Sequence, residues 1–178
     1  RPNIVELFAL DLDAFSCLAK AAEFISPTLS RYKFTQVIET IKNAAESELD
    51  LRLEGAAAEE LAENFDDEPR FCVPKVDWTR TTQKILTMER LSGIPIDDRN
   101  AILAAGFCPE EILKRATKVS FAQVFRDGFF HADLHPGNMF VLENGSIGVV
   151  DFGIMGRLDG ATRRYLGKIL LAFLNRDY

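Results

Sequence analysis

Apolar positions recur with two different periods along this chain, and each change of period marks an element. From residue 3 to 25 the spacing is helical, with Ile4, Leu7, Phe8, Leu12, Phe15, Leu18, Ala19 and Ala22 on one broad stripe. Ser26-Pro27 breaks it, because the residue before a proline is pushed out of the α region. A second run, Phe34, Val37, Ile38, Ile41, Ala45, Leu49 and Leu53, starts near Tyr32 and fades toward Asn64. It predicts a single helix of about thirty residues. Runs at 71–76 and 84–89 read as short strands around a polar turn at 79–82. Beyond Gly93-Ile-Pro-Ile96 the helical period returns. Asp97 or Asp98 is placed to cap one helix, and Pro109 fits the first turn of the next, which bears Ile112, Leu113 and Ala116. Phe121, Val124 and Phe125 extend an apolar face into Gly128, and 162–174 reads as a further amphipathic helix.

Between those helices, two strand-like runs at 138–142 and 146–151 flank Asn144-Gly145. Asn-Gly between such runs signals a hairpin, since both residues tolerate positive φ. Folding back brings the polar outer ends, Asn138 and Asp151, side by side. The pattern therefore predicts a site as well as a fold.

Composition narrows what that site serves. At 178 residues and 47% hydrophobic, the chain can bury one sizeable core. A net charge of −6 without a basic block gives nucleic-acid binding no support. Three scattered cysteines, Cys17, Cys72 and Cys108, suit reduced thiols in a cytoplasmic setting. No apolar run approaches the ~20 residues of a membrane span.

The residue types then suggest chemistry. Asn138 and Asp151 offer hard oxygen ligands of the kind that hold Mg²⁺ beside substrate phosphates. Asp133, five residues before Asn138 on a Pro-Gly loop, is placed to orient a nucleophile or accept its proton. His131-x-Asp133 followed by Asn138 and then Asp151-Phe152-Gly153 is the protein-kinase signature order. Blander roles exist for each piece. His131 suits a core position that holds the loop by a backbone hydrogen bond, and Asp151 a strand-ending turn. His131, Asp133 and His135 could instead ligate a transition metal, but these are the only 2 histidines and no Cys-x-x-Cys completes a zinc site. On the second helix, Glu48 and Arg52 are spaced to pair, while Asp50 and Glu54 repeat the same charge at the same spacing. By spacing alone that stretch reads as a solvated acidic face.

His-Ala-Asp-Leu-His-Pro-Gly-Asn with Asp-Phe-Gly resembles the UbiB family of atypical protein-kinase-like proteins, linked to ubiquinone biosynthesis. Aminoglycoside and choline phosphotransferases share the loop; Glu48-Leu-Asp50-x-x-x-Glu54 is similar to the family's E-x-D motif and αC glutamate and separates it from them. The resemblance implies an α+β, protein-kinase-like fold, truncated: a partial N-lobe over 1–92 with the αC-type helix, and the start of a C-lobe over 93–178 with the catalytic hairpin. It implies ATP and Mg²⁺ as cofactors, with Asn138 and Asp151 on the metal. Asp133, His131 and Asn138 form the catalytic set. Glu54, Met88, Glu89, Leu91, Asp151, Phe152 and Gly153 are nucleotide contacts, with Leu86 to Gly93 as gatekeeper and hinge. Met88 as gatekeeper has an equal rival as a gap-filling core residue.

Arg1-Pro2 resembles the residues just after the family's lysine strand, so that lysine and a K-x-G-Q helix are expected before residue 1. Nucleotide affinity is then expected to be weak in this chain. The resemblance further implies quinone-pathway proteins or an isoprenoid lipid as partners. It places the protein in the cytoplasm at the inner face of a bacterial membrane, or in a mitochondrion or plastid, with peripheral attachment through other parts. A small-molecule phosphotransferase and a non-catalytic nucleotide- or lipid-binding module are the alternatives.

Overall fold

In a computed structural model, which describes residues 4–25, 31–48 and 50–176 apart from the side chains of 4–9 and 44–48, the chain opens with a helical hairpin. Helix α1 (Ile4–Ile25) packs on α2 (Phe34–Glu48). Thr35 N–H donates to Glu23 at 2.9 Å, and Lys42 pairs with Asp13 at 3.1 Å. Leu12 and Ala19 are buried, as the stripe requires. Phe15 and Leu18, assigned to the same stripe, are 57% and 66% exposed. A single neighbouring helix covers only a narrow seam, and residues turned roughly 50–110° from it stay outside.

The predicted thirty-residue helix is two helices. α2 stops at Glu48, and α3 (Leu51–Asn64) restarts after Asp50, whose backbone is extended (φ −96°, ψ 93°). The Asp50 carboxylate accepts the Arg52 N–H at 3.1 Å, an N-cap that competes with continued helix. Leu51 N–H is also drawn off, to the Gln83 carbonyl at 3.0 Å. Apolar spacing carries straight through such a break and does not register it. Gly55 on α3 lets a ribbon lie close, since a Cβ there would sit 3.1 Å from the Trp78 ring and 3.2 Å from Leu86.

Of the two strands expected at 71–76 and 84–89, the first shrinks and the second is reduced to isolated bridges at Ile85 and Met88. β1 (Phe71–Cys72) ends before Pro74, which lacks the N–H a longer ladder would need. An irregular ribbon succeeds it, in which Asp77 and Glu89 donate N–H bonds to the Thr87 and Lys75 carbonyls, both at 2.8 Å. Strand β2 (Gly93–Pro95) leads to α4 (Arg99–Ala104), capped by Asp98, whose carboxylate accepts from Ala101 N–H at 2.9 Å. Pro109 opens α5 (Pro109–Phe121), which runs on through a π-helical turn, Ala122–Asp127. Ile112, Ala116 and Val119 face the core, and Gln123 continues their spacing inward (1% exposed) while Phe121 is 46% exposed. Of the apolar face expected at 121–125, Phe121 stays outside while Val124 and Phe125 are half-buried.

After Gly128 come β3 (Phe129–His131), β4 (Met139–Leu142), β5 (Ile147–Val149), β6 (Met155–Arg157) and α6 (Gly160–Asn175). One sheet has the order β1-β5-β4-β2, with β1 parallel to β5 and the other pairs antiparallel; β3 and β6 form a separate antiparallel pair. Leu61, Ile102, Val141, Ile147, Val149 and Phe152 fill the core between the sheet and α3, α4 and α5. Gly128 has φ 70°, and a Cβ there would lie 2.6 Å from the Leu158 carbonyl oxygen. Gly128→Ala therefore loses about 2–4 kcal/mol of stability, through left-handed strain and a backbone clash together. Urea unfolding measures it, and a loss below about 1 kcal/mol would show that the turn yields.

Candidate functional site

The hairpin forms and places its outer ends as the alternation demands. Met139 pairs with Val149, Phe140 with Gly148 and Val141 with Ile147. One step outward, Val150 N–H donates to the Asn138 carbonyl at 3.0 Å, which sets Asn138 beside Asp151. Only Gly145 uses positive φ (75°); Asn144 does not. Asn144 works through its side chain instead, its Oδ1 accepting from Ser146 N–H at 2.9 Å and from the Ser146 hydroxyl at 2.6 Å.

Asn138 ends a 3₁₀ turn, Pro136–Asn138, and is buried, whereas Asp133 and Asp151 are exposed at the mouth. Its Nδ2 donates to the Asp133 carbonyl at 3.4 Å and lies 3.5 Å from Asp151 Oδ2. Asp151 has φ 66°, a left-handed conformation that Asp tolerates better than most residues and that is concentrated at functional positions. The Asn138 amide, the Asp133 backbone carbonyl and the Asp151 carboxylate thus share one small region, assembled by two loops.

His131 is the clamp between those loops. It is 6% exposed; its Nδ1 accepts from Asp133 N–H and its Nε2 faces the Val150 carbonyl, both at 3.3 Å. With Nδ1 accepting, the ring proton belongs on Nε2, donating to Val150. The sequence reading missed Gln123, whose buried Oε1 accepts the His131 N–H at 2.9 Å. A polar residue continuing the buried spacing of Ile112, Ala116 and Val119 was the available signal. Ala132 N–H donates to the Ile154 carbonyl at 2.9 Å, so the catalytic-type loop and the segment after Asp151 are stitched together directly.

Glu54 reaches this assembly from α3. Its Oε1 accepts the Phe152 N–H at 3.2 Å, joining residues 98 apart. Burial pushes the Glu54 carboxyl above its ordinary value; the Phe152 N–H opposes the rise and the Asp151 charge adds to it. A carboxyl raised in the fold favours folding in its protonated form. That contribution is complete below the ordinary glutamate value of about 4.3 and is lost as pH rises through the folded value. Glu54→Gln keeps an acceptor for Phe152 N–H without the charge. It should raise the melting temperature by about 1–3 °C at pH 7 and give no gain at pH 4, with solvent screening keeping the effect small. A lower melting temperature at pH 7 would contradict this.

Arg52 pairs with Asp50, at 2.6 Å and 2.9 Å. The Arg52 guanidinium, by hydrogen bond first, holds the Asp50 carboxyl below its ordinary range. The Glu48 side chain lies outside the described residues. Met88 is half-buried against the core and bridges Val76; Glu89 is exposed; Leu91 is half-buried, close to Gly148. These three lie on the ribbon and its continuation toward β2. Asp50, Glu54, Phe152 and Gly153 meet elsewhere, lining a cleft of about 600 Å³ together with Glu60, Phe129, Met155 and Arg157.

Among the described residues no three His, Cys, Asp or Glu side chains converge to hold a metal. His131 is committed to backbone partners, and His135 Nδ1 accepts from Gly137 N–H at 3.1 Å. A three-ligand transition-metal centre is therefore not assembled from this loop. The donor set that does exist, one carboxylate and one carboxamide, fits Mg²⁺, which keeps several waters and takes its other ligands from phosphates. Asn138 would have to present its oxygen, since its nitrogen now faces Asp151.

Comparison with known proteins gives consistent matches. The family model for the ABC1 atypical kinase-like domain matches residues 1–178. "Probable protein kinase UbiB" of Marinobacter nauticus is 37% identical over 182 aligned residues, which cover 100% of this chain and 33% of that protein. The chain thus spans about a third of the length of this curated relative. Among solved structures, the complex of Rv3197 with erythromycin from Mycobacterium tuberculosis aligns with TM-score 0.57 and 28% identity, covering 84% of this chain and 38% of that one.

Proposed function

The chain belongs to the ABC1 atypical kinase-like family, and from that premise we propose that it is the nucleotide-handling part of a UbiB-type ATPase or kinase. Its fold is protein-kinase-like, an α+β arrangement shared with the Rv3197 structure. The observation that carries the functional reading is the convergence of Asp133, Asn138 and Asp151 from two loops, with Asn138 Nδ2 between the Asp133 carbonyl (3.4 Å) and the Asp151 carboxylate (3.5 Å). In this reading Asn138 and Asp151 hold Mg²⁺, which when bound supplies positive charge to phosphate oxygens. Asp133, exposed beside them, orients the attacking hydroxyl or water and accepts its proton.

Glu54 and His131 do not touch the reacting atoms in this reading. Glu54 sets the Asp151-Phe152 backbone through the Phe152 N–H, and His131 fixes the spacing of the two loops. Met88, Glu89 and Leu91 present the adenine-side edge, and Glu48 with Asp50 forms the family's acidic motif. The physiological setting, support of polyprenyl quinone biosynthesis at the inner face of a membrane, belongs to the proposal through the UbiB relative. No described helix is long and apolar enough to cross a membrane.

The test is an ATP titration with and without Mg²⁺, followed by the side-chain amide resonance of Asn138. Metal-dependent shifts are expected in the millimolar range, because the partner found for Glu54 is a backbone N–H rather than a cation. Shifts without metal dependence, or none up to about 10 mM nucleotide, would overturn the reading.

A further inference from the structure

Helix α1 has two apolar faces, and α2 covers one. Leu12 and Ala19 are buried against α2. On the opposite side Leu10, Ala14, Cys17, Ala21 and Phe24 recur with spacings of four, three, four and three, and all are exposed. Leu10 is 67% exposed, Phe24 92%, and the flanking Leu18 and Ile25 are 66% and 79%. Alternating three-and-four spacing on an exposed helix is the seam of a coiled coil, because it keeps one narrow stripe facing a partner helix. A helix that is apolar on both sides is a buried helix, so this seam has a cover.

We propose that the cover is α1 of a second copy of this chain, packed antiparallel about a twofold axis. Pairing residues whose numbers sum to 31 sets Ala14 against Cys17 and Leu10 against Ala21 of the partner, large beside small in the outer layer. The same register sets Asp13 on one flank against Lys20 of the other copy, and the twofold repeats that pair. A parallel, in-register pair stacks Leu10 on Leu10 and Phe24 on Phe24, and puts Asp13 and Lys20 beside Leu18 and Ile25. It gains no charge pair. Antiparallel helices also set opposite dipole ends together. Asp13 already touches Lys42 of its own chain at 3.1 Å but remains 67% exposed, so its outer side is open to a second cation.

Sedimentation equilibrium on the chain, from about 1 to 100 µM, tests this together with two charge variants. Wild type is expected to be a reversible dimer. Asp13→Lys and Lys20→Asp each place like charges on both flanks and should each weaken it at least tenfold, whereas an equimolar mixture restores a dimer because the two flanks become complementary. Ala14→Cys should form a covalent dimer under mild oxidation, while wild type does not. Recovery in the mixture cannot come from a folding defect. A monomeric wild type, or variants that fail to rescue each other, would overturn the proposal and assign the seam to another segment or protein. A covalent wild-type dimer through Cys17 would overturn the antiparallel register. The nucleotide reading is independent of all these outcomes.

Discussion

Asp151→Asn is expected to abolish the proposed metal-dependent nucleotide binding and to leave the fold standing. The substitution keeps the size of the side chain and removes its charge. Asn tolerates the left-handed region as well as Asp does, so the backbone at φ 66° carries no new strain. Asp151 is exposed, and its contact with Asn138 at 3.5 Å is long, so little stability rests on it. A metal that relies on one protein carboxylate loses its only anionic ligand here, and a neutral amide does not replace it. Thermal melts should therefore agree within about 2 °C without ligand. The MgATP-dependent amide shifts of Asn138 should vanish, and any turnover should drop by about 10²–10³-fold, as when one preorganised electrostatic element is removed. Unchanged MgATP binding in the variant would place the nucleotide somewhere other than between Asn138 and Asp151.

Phe152→Ala has the largest effect on stability. Phe152 is 1% exposed and belongs to the continuous core with Leu61, Val141, Ile147 and Val149. Its ring lies 5.9 Å from that of His131, so the same side chain supports the clamp between the two loops. Truncation removes the transfer energy of the ring and leaves a cavity beside the existing cleft, for a loss of about 3–5 kcal/mol. Denaturant unfolding reads that directly. A loss below about 1.5 kcal/mol would mean that neighbours collapse into the space. The two substitutions are expected to separate adjacent positions, the exposed aspartate affecting ligand and the buried phenylalanine the fold. Gly153, next in line, is exposed, and the nearest atom to a Cβ there is Asp151 Oδ1 at 3.6 Å, so a side chain there meets no clash within the fold.

The hairpin was legible in the sequence because its signals are local. Alternating apolar residues, a Gly able to take positive φ and an Asn able to bond two residues on act within eight or nine positions, and no distant contact is needed to read them. The caps at Asp98 and Pro109 were legible for the same reason. The break between α2 and α3 was not. Apolar spacing persists through it, and the deciding bonds are Asp50 to Arg52 and Leu51 to Gln83, the second with a residue 32 positions away. Gln123 was missed because an apolar pattern carries no mark for a polar residue at a core position, although it continues the spacing of Ile112, Ala116 and Val119. Phe15 and Leu18 of α1 were assigned inward because period gives the width of an apolar stripe but not which part a neighbour covers.

The residues alone determined that Asn138 and Asp151 would meet and that Asp133 would lie near them. They determined also that the side chains meeting there would offer hard oxygen ligands, since residue type alone fixes that. Only the tertiary structure decided that Glu54 would reach across 98 positions to the Phe152 N–H, that His131 would tie the two acidic loops together and that Arg52 would pair with Asp50. Each of those choices depends on competition among several geometrically suitable partners. Distance, burial and backbone strain settle that competition only after the chain has packed.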